Sequence, residues 1–295
     1  MREGRSYGKV YHLAERFDIL QQKYPHYLYQ DDVFGRELQG VPGEFIKQVF
    51  RPSEALARLI DLEELDSLQK DVVTFAQLVQ NAARIPIDTL GVSGSVLVDL
   101  HGPTSDIDII VYGRKAGLDL QLALRRAHFD PEQGFASYAL DTYRPVYNLR
   151  WSASGIPIET MIQVDAPKAM HGVFGGHHYF VRAVLDWNEI ENKYGDQKYK
   201  QIGYARAQCL ITKHTDSLFT PCRYEIEDVH LLNGNVGDAA REIVSFRGRF
   251  CEQVKQDDQV IVQGTVEEVR TQKERWTRFL LGDNPQDILL PSKLI

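Results

Sequence analysis

Apolar and polar positions change period several times along the chain, and each change marks an element. Over residues 8–24, Val10, Leu13, Phe17, Leu20 and Tyr24 recur three and four apart, a helical stripe that Pro25 stops. The stretch to about Gly43, rich in tyrosine, aspartate and glycine, reads as a loop-rich connection. Pro52-Ser53 opens a second helical pattern, with Leu56, Leu59, Ile60, Leu65, Leu68, Val72, Phe75 and Leu78 in register to about Ala83. From Ile85 an apolar approach ends in a small turn at Gly94-Ser95. Val96, Leu97, Val98 and Leu100 then form a short amphipathic stretch closed by Gly102-Pro103, and the run Asp106-Ile107-Asp108-Ile109-Ile110-Val111 follows. The pattern over 91–113 is strand, turn, helix, strand. Leu118, Leu122 and Leu124 predict a helix ending near His128, with a loop at Asp130-Pro131.

Alternation over 146–151 and again over 156–164, across a turn at 152–155, predicts a β-hairpin in which Glu159 and Met161 share the face opposite Ile158, Ile162 and Val164. A short helix is expected over 181–194. Beyond that the pattern becomes five strand-like runs, at 205–212, 224–232, 243–252, 259–270 and 276–282, parted by turn residues such as Asn233-Gly234-Asn235 and Asp257-Asp258. Regular short strands imply a small antiparallel barrel or sandwich.

A length of 295 residues exceeds one usual domain, and 43% hydrophobic with 25% charged residues suits a globular protein with a real core. Three units are drawn: a helical N-terminal region (1–84) packing on a central domain (85–195), then a small β domain (196–295). No apolar run is long enough to span a membrane and the N-terminus has no signal-peptide core, so a cytoplasmic protein without a membrane partner is expected. Cys209, Cys222 and Cys251 lack Cys-x-x-Cys spacing and are expected to be reduced structural thiols. The net charge of −7 argues against a large non-specific nucleic-acid footprint, though not against a local basic groove. Residues 200–295 carry 13 basic and 14 acidic side chains, so most of the excess acidity lies upstream.

The strongest chemical signal is the 91–113 unit. Side chains two apart on a strand share a face with Cα atoms roughly 6–7 Å apart, so Asp106 and Asp108 are presented together while Ile107 and Ile109 face the core. Such a carboxylate pair suits divalent cations and in-line displacement at phosphorus. The Gly94-Ser95 turn adds backbone N–H groups and a hydroxyl. The cluster Asp61, Glu63, Glu64 and Asp66 reads instead as a solvated helix face. His171, His177 and His178, in a glycine-bearing segment without helical metal-ligand spacing, read as a loop or substrate contact rather than a zinc site. Tyr24, Tyr27, Tyr29 and Phe34 read as packing groups more readily than as a base-stacking set. Arg241, Arg247 and Arg249 with Tyr224, Phe246 and Phe250 suit either a nucleic-acid groove or core aromatics with solvated arginines.

A Gly-Ser pair followed at this distance by Asp-x-Asp between apolar residues resembles the signature of the polymerase-beta-like nucleotidyltransferase superfamily. In a looser way the chain is similar to uncharacterised predicted nucleotidyltransferases of prokaryotes with an extra C-terminal region. The resemblance covers this segment and one later strand. It implies an α/β (α+β) nucleotidyltransferase fold with a mixed sheet, preceded by helices. The 258–266 run looks like part of an OB-like barrel, a small antiparallel β-barrel at the C-terminus. The resemblance implies two Mg²⁺ ions, with Mn²⁺ as a substitute, held by Asp106, Asp108 and a third carboxylate on a neighbouring strand, for which Glu159 is the candidate and Asp165 the weaker one. The family's third acid is commonly aspartate, so Glu159 departs from the pattern. Gly94 and Ser95 would bind the nucleoside triphosphate, and its nucleoside monophosphate would pass to an acceptor hydroxyl, possible acceptors including RNA or another nucleic acid. The rival expectation is a nucleotide-sensing or RNA-binding protein on the same fold that has lost turnover.

Overall fold

The computed structural model describes residues 7–128, 132 and 134–295. The loop expected at Asp130-Pro131 lies outside the described residues. Helix α1 (Leu13–Lys23) fulfils the first helical stripe but buries none of its residues. The connection that follows is more regular than its composition implies, because β1 (Leu28–Asp31) and β2 (Arg36–Gln39) pair as an antiparallel hairpin. The second helical pattern is two helices, α2 (Pro52–Asp61) and α3 (Ser67–Ala83). Asp66 ends the break between them. Its carboxylate accepts from the Gln69 N–H while the Gln69 side chain accepts from the Asp66 N–H, a reciprocal cap.

Strand β3 (Leu90–Val92), the single turn α4 (Gly94–Leu97), β4 (Ile107–Tyr112) and α5 (Arg114–Ala127) reproduce the predicted order. Next come β5 (Phe135–Ala136), α6 (Leu140–Arg150) and α7 (Ile158–Asp165). The hairpin expected over 146–164 is therefore two helices. Tyr143 and Val146 turn inward from α6, and Met161, Val164 and Asp165 from α7, a helical rather than an alternating set. Strands β6 (His171–Phe174) and β7 (His177–Val184) pair tightly across Gly175 and Gly176. Both glycines have positive φ, as a two-residue hairpin turn of the favoured hand requires. The helix expected over 181–194 is instead the end of β7 and a 3₁₀ turn at Trp187–Glu189.

The first sheet has the order β3-β4-β7-β6-β5, with β4 and β7 parallel and the remaining pairs antiparallel. Ile107, Ile109 and Val111 project from β4 into a core closed by Leu56 and Leu59 of α2, Leu68, Val72, Phe75 and Val79 of α3, and Leu120 and Leu124 of α5. Gly91 is needed here because a Cβ would lie 2.6 Å from Pro52 Cβ at the start of α2.

The C-terminal strands are β8 (Lys198–Lys213), β9 (Cys222–Asn233), β10 (Ala240–Ser245), β11 (Gln259–Arg270), β12 (Arg275–Leu281) and β13 (Ile288–Pro291). Their order is β12-β10-β9-β8-β11-β13, with a further pairing between β12 and β11. Pairs are antiparallel except β10 with β12, which run parallel. A second apolar cluster fills this sheet and includes Tyr138, Tyr143, Val146, Trp151, Met161 and Val164. Helices α6 and α7, which fall within 85–195, thus share their core with the C-terminal strands. The protein is mixed α and β, and no described helix is long and apolar enough to cross a membrane. All three cysteines are buried and unpaired.

Candidate functional site

The local sequence brings Asp108 onto the Gly-Ser turn. Residues Leu90 to Val92 are wholly buried and pair with Ile109 to Val111, and the Ser93 N–H donates to the Asp108 carbonyl at 2.7 Å, extending the ladder to the turn. Gly94 follows with φ +60°, and a Cβ there would collide with Oδ2 of Asp108. The carboxylate therefore sits directly over the bare glycine backbone. Leucine or even alanine at position 94 would displace it. The first N–H groups of a helical turn have no partner within the helix, so those of α4 stand open beside this carboxylate.

Asp106 ends the loop just before β4. That loop is fixed from β7: the His177 ring Nδ1 lies 3.0 Å from the Ser105 carbonyl oxygen, and its Nε2 3.4 Å from Asp71 of α3. A Gly102 N–H to Ser105 Oγ bond of 3.0 Å closes the bend. Burial raises the Asp108 carboxyl above its ordinary value, and the like charge of Asp106 adds to the rise. Lys9, Arg150 and Arg182 oppose it. A pair of carboxylates of which Asp108 feels the charge of Asp106, with peptide N–H groups beside them, makes a donor set for a hard divalent cation completed by substrate oxygens.

The neighbouring strand carries no acid on this face. Asp108 is in register with Phe180, and Ile107 with Tyr179, so His178, Phe180 and Arg182 of β7 share the face of the aspartates. The guanidinium of Arg150, at the end of α6, lies 5.8 Å from the Phe180 ring centroid, and that of Arg182 lies 5.4 Å from it. Tyr138 packs 5.7 Å from the His178 ring. Burial pushes the Tyr138 phenol up to about 12 and holds His178 below the usual imidazole range, the latter against the charge of Asp106. Lys9, Tyr138, Arg150 and Arg182 were not singled out from the sequence, whereas His178 reads there as a loop residue or substrate contact. Arg182 was hidden by the helix expected over 181–194.

Glu159 does not stand on a strand. It occupies the first turn of α7, exposed, with its backbone carbonyl accepting from Gln163 Nε2 at 2.9 Å, and α7 packs into the C-terminal core. Among the described residues no group of three or more histidine, cysteine, aspartate and glutamate side chains is arranged to hold a metal ion. Asp165, the weaker candidate, is also spent elsewhere. It is buried against Lys168 Nζ at 2.7 Å and accepts from Tyr143 Oη at 2.6 Å and Trp151 Nε1 at 2.8 Å. Burial alone would raise its carboxyl, but Lys168, His171 and the Tyr143 hydrogen bond take it down to about 2.

The three histidines divide. His171 is buried with Nε2 2.8 Å from the Asp165 carbonyl oxygen, His177 holds the Asp106 loop, and His178 alone faces the aspartates. Of the 24–43 aromatics, Tyr24 and Tyr27 stack on each other at 5.7 Å, Phe34 stacks on Tyr199 at 5.4 Å, and Tyr29 is exposed. Tyr224 and Phe250 are core residues, Phe246 is exposed, and Arg241 pairs with Glu274 at 3.0 Å.

No family model matches the chain, and no solved structure matches it. Among curated proteins it is similar to an uncharacterised protein of Methanocaldococcus jannaschii, 27% identical over 280 residues, which cover 95% of this chain and 80% of that protein.

Proposed function

We propose that the chain binds a nucleoside triphosphate at the Gly94 to Asp108 unit and transfers its nucleoside monophosphate to an acceptor hydroxyl, releasing pyrophosphate. The observation that carries this reading is the seating of the Asp108 carboxylate on the open backbone of Gly94, with Asp106 beside it. Asp106 and Asp108 would hold Mg²⁺, which supplies charge neutralisation at the phosphates and activation of the attacking oxygen. The N–H groups of Gly94 and Ser95 and the Ser95 hydroxyl bind the phosphate oxygens. Arg182 and Arg150 place positive charge over the same face and stabilise charge that gathers on the leaving phosphates. Seated on Phe180, both guanidinium groups are oriented before substrate arrives. His178, largely neutral at pH 7 through burial, is the uncharged base on this face able to accept a hydroxyl proton.

The C-terminal strands support a small OB-like barrel. Their pairings run β8-β9-β10-β12-β11 and return from β11 to β8, with the third and fifth strands parallel. That is the strand order of a five-stranded Greek-key barrel.

A second reading, a nucleotide-sensing or RNA-binding protein without turnover, is favoured by one observation: β7 offers His178, Phe180 and Arg182 where the family pattern implies a third carboxylate. Titration of each nucleoside triphosphate with Mg²⁺ into the wild type and into Asp106→Asn/Asp108→Asn, with pyrophosphate release followed in parallel, separates the readings. Metal-dependent binding lost in the double variant and accompanied by release is expected. Binding without release under any acceptor fraction would leave the sensing reading, and no binding at all would overturn both.

A further inference from the structure

A second cluster of positive charge begins where the aspartate face ends. A cavity of about 50 Å³ lies between the end of α6, the N-terminal segment before α1 and the loop after β12, lined by Tyr11, His12, Arg150, Arg247, Arg249 and Asp283 among others. One water needs roughly 10–15 Å³ on this measure, so the space takes a few heavy atoms, the bulk of a phosphate and not of a base or sugar.

The three arginines are held in place by rings and carbonyls rather than by ion pairs. Arg249 lies 4.7 Å from the Trp151 ring and 4.9 Å from the Phe250 ring, and it donates to the Arg150 carbonyl. Arg247 Nε donates to the Gly282 carbonyl at 3.3 Å. Arg150 Nη1 and Arg249 Nε are shut off from solvent with no hydrogen-bond partner. Among the described residues no carboxylate is in ion-pair reach of these three, whereas Arg36, Arg114, Arg125, Arg223 and Arg278 each have one. Asp283, the acid of the lining, is engaged by Arg36. Burial holds Arg249 below its usual value, with Arg247 and Arg150 pushing the same way against Tyr11 and Asp287. Burial also acts to lower Arg150, but Tyr138, Tyr11, Asp165 and Asp106 outweigh it and leave Arg150 raised.

Three fixed cations around a phosphate-sized space, two of them with an orphaned N–H, are costly unless an anion joins them. Planar guanidinium groups match phosphate oxygens two at a time. We propose that the Arg150–Arg247–Arg249 cleft is a binding site for a phosphate group, supplied either by the triphosphate tail or by the phosphodiester backbone of a nucleic-acid acceptor. Arg150 belongs to both sites, since its charge also bears on Asp106 and Asp108. The anion site stands on its own geometry; the choice of substrate that supplies the phosphate rests on the transferase reading above.

The test uses the full chain in metal-free buffer, titrated with sodium tripolyphosphate and, separately, with a ten-nucleotide oligothymidylate at several salt concentrations. Wild type, Arg247→Gln, Arg247→Gln/Arg249→Lys and Asp106→Asn/Asp108→Asn are compared, with melting curves to show each is folded. Arg247→Gln is expected to weaken binding about tenfold and to reduce the salt slope for the oligonucleotide by about 0.7. The aspartate variant is expected to bind both probes at least as well as wild type, so the anion site survives even if metal-dependent nucleotide binding is never found. Arginine-dependent binding of tripolyphosphate alone assigns the site to the triphosphate, and arginine-dependent binding of the oligonucleotide assigns it to a nucleic-acid acceptor. Failure of the wild type to bind either probe, or equal binding by a folded Arg247→Gln, overturns the site.

Discussion

Asp108 shows how a single residue's place in the fold sets its energetics. A carboxyl raised by burial and by a like charge keeps its proton to higher pH when folded than when unfolded, so stability falls as pH rises through the raised value. At neutral pH the full cost is present. Asp108→Asn is therefore expected to raise the melting temperature of the ligand-free protein by ~2 °C at pH 7.5, on the order of 1 kcal/mol, with the gain shrinking toward pH 4. A lower melting temperature at pH 7.5 would show that Lys9, Arg150 and Arg182 more than offset the desolvation. This residue and Asp106 were legible in the sequence, because i and i+2 share a face on any strand, and a glycine turn ahead of them is a local signal. Arg150 and Arg182 were not, since nothing local tells a solvated arginine from one seated on Phe180.

At the scale of elements, the instructive case is 146–164. Ile158, Ile162 and Val164 fit a strand face, yet Ile158, Met161, Ile162 and Asp165 fit a helix, and eight residues are too few for the period alone to decide. Asp165, the weaker third-acid candidate just past the expected strand, is instead satisfied in the core by Lys168, Tyr143 and Trp151. With α7 a helix, Glu159 is an exposed residue of its first turn. Glu159→Gln is expected to leave Mg²⁺-dependent triphosphate affinity and pyrophosphate release within about twofold of wild type, where Asp106→Asn abolishes the metal-dependent binding and the release; about 1 kcal/mol at a helix N-terminus bounds its effect on stability. A loss of release with Glu159→Gln as deep as that of Asp106→Asn would return Glu159 to the site.

The whole molecule joins two apolar clusters through polar contacts that the sequence does not announce. Phe180 of the first sheet packs on the bare Gly248 of the C-terminal unit, Arg182 Nη1 donates to Thr220 Oγ1 at 3.1 Å, and half-buried Glu252 accepts from the Met170 N–H at 2.9 Å. His171 of β6 reaches the α7 carbonyl of Asp165, and burial takes its imidazole down to about 3. Its unfolded form takes a proton near pH 6.5, so stability is lost as pH falls from there toward 3, and Asp165 adds a further loss between the ordinary carboxyl value of 3.8 and about 2. His128 and His178, also depressed by burial, act in the same direction. The urea midpoint is expected to begin falling near pH 6.5, and His171→Asn to flatten that decline by up to ~1.4 kcal/mol per pH unit; a midpoint constant down to pH 4 would contradict the buried neutral imidazole. The sequence by itself determined what short-range periodicity and turn chemistry carry: the strand, turn, helix, strand unit with Gly94, Ser95, Asp106 and Asp108, the flanking helices, and four of the C-terminal strands, whereas the run expected over 243–252 is only the end of β10 followed by a 3₁₀ turn. Tertiary structure alone decided which strand lies beside β4, that α6 and α7 are helices sharing a core with the C-terminal sheet, and that three arginines converge without acids. Those facts depend on contacts between residues far apart in the chain, whose energies no local pattern records.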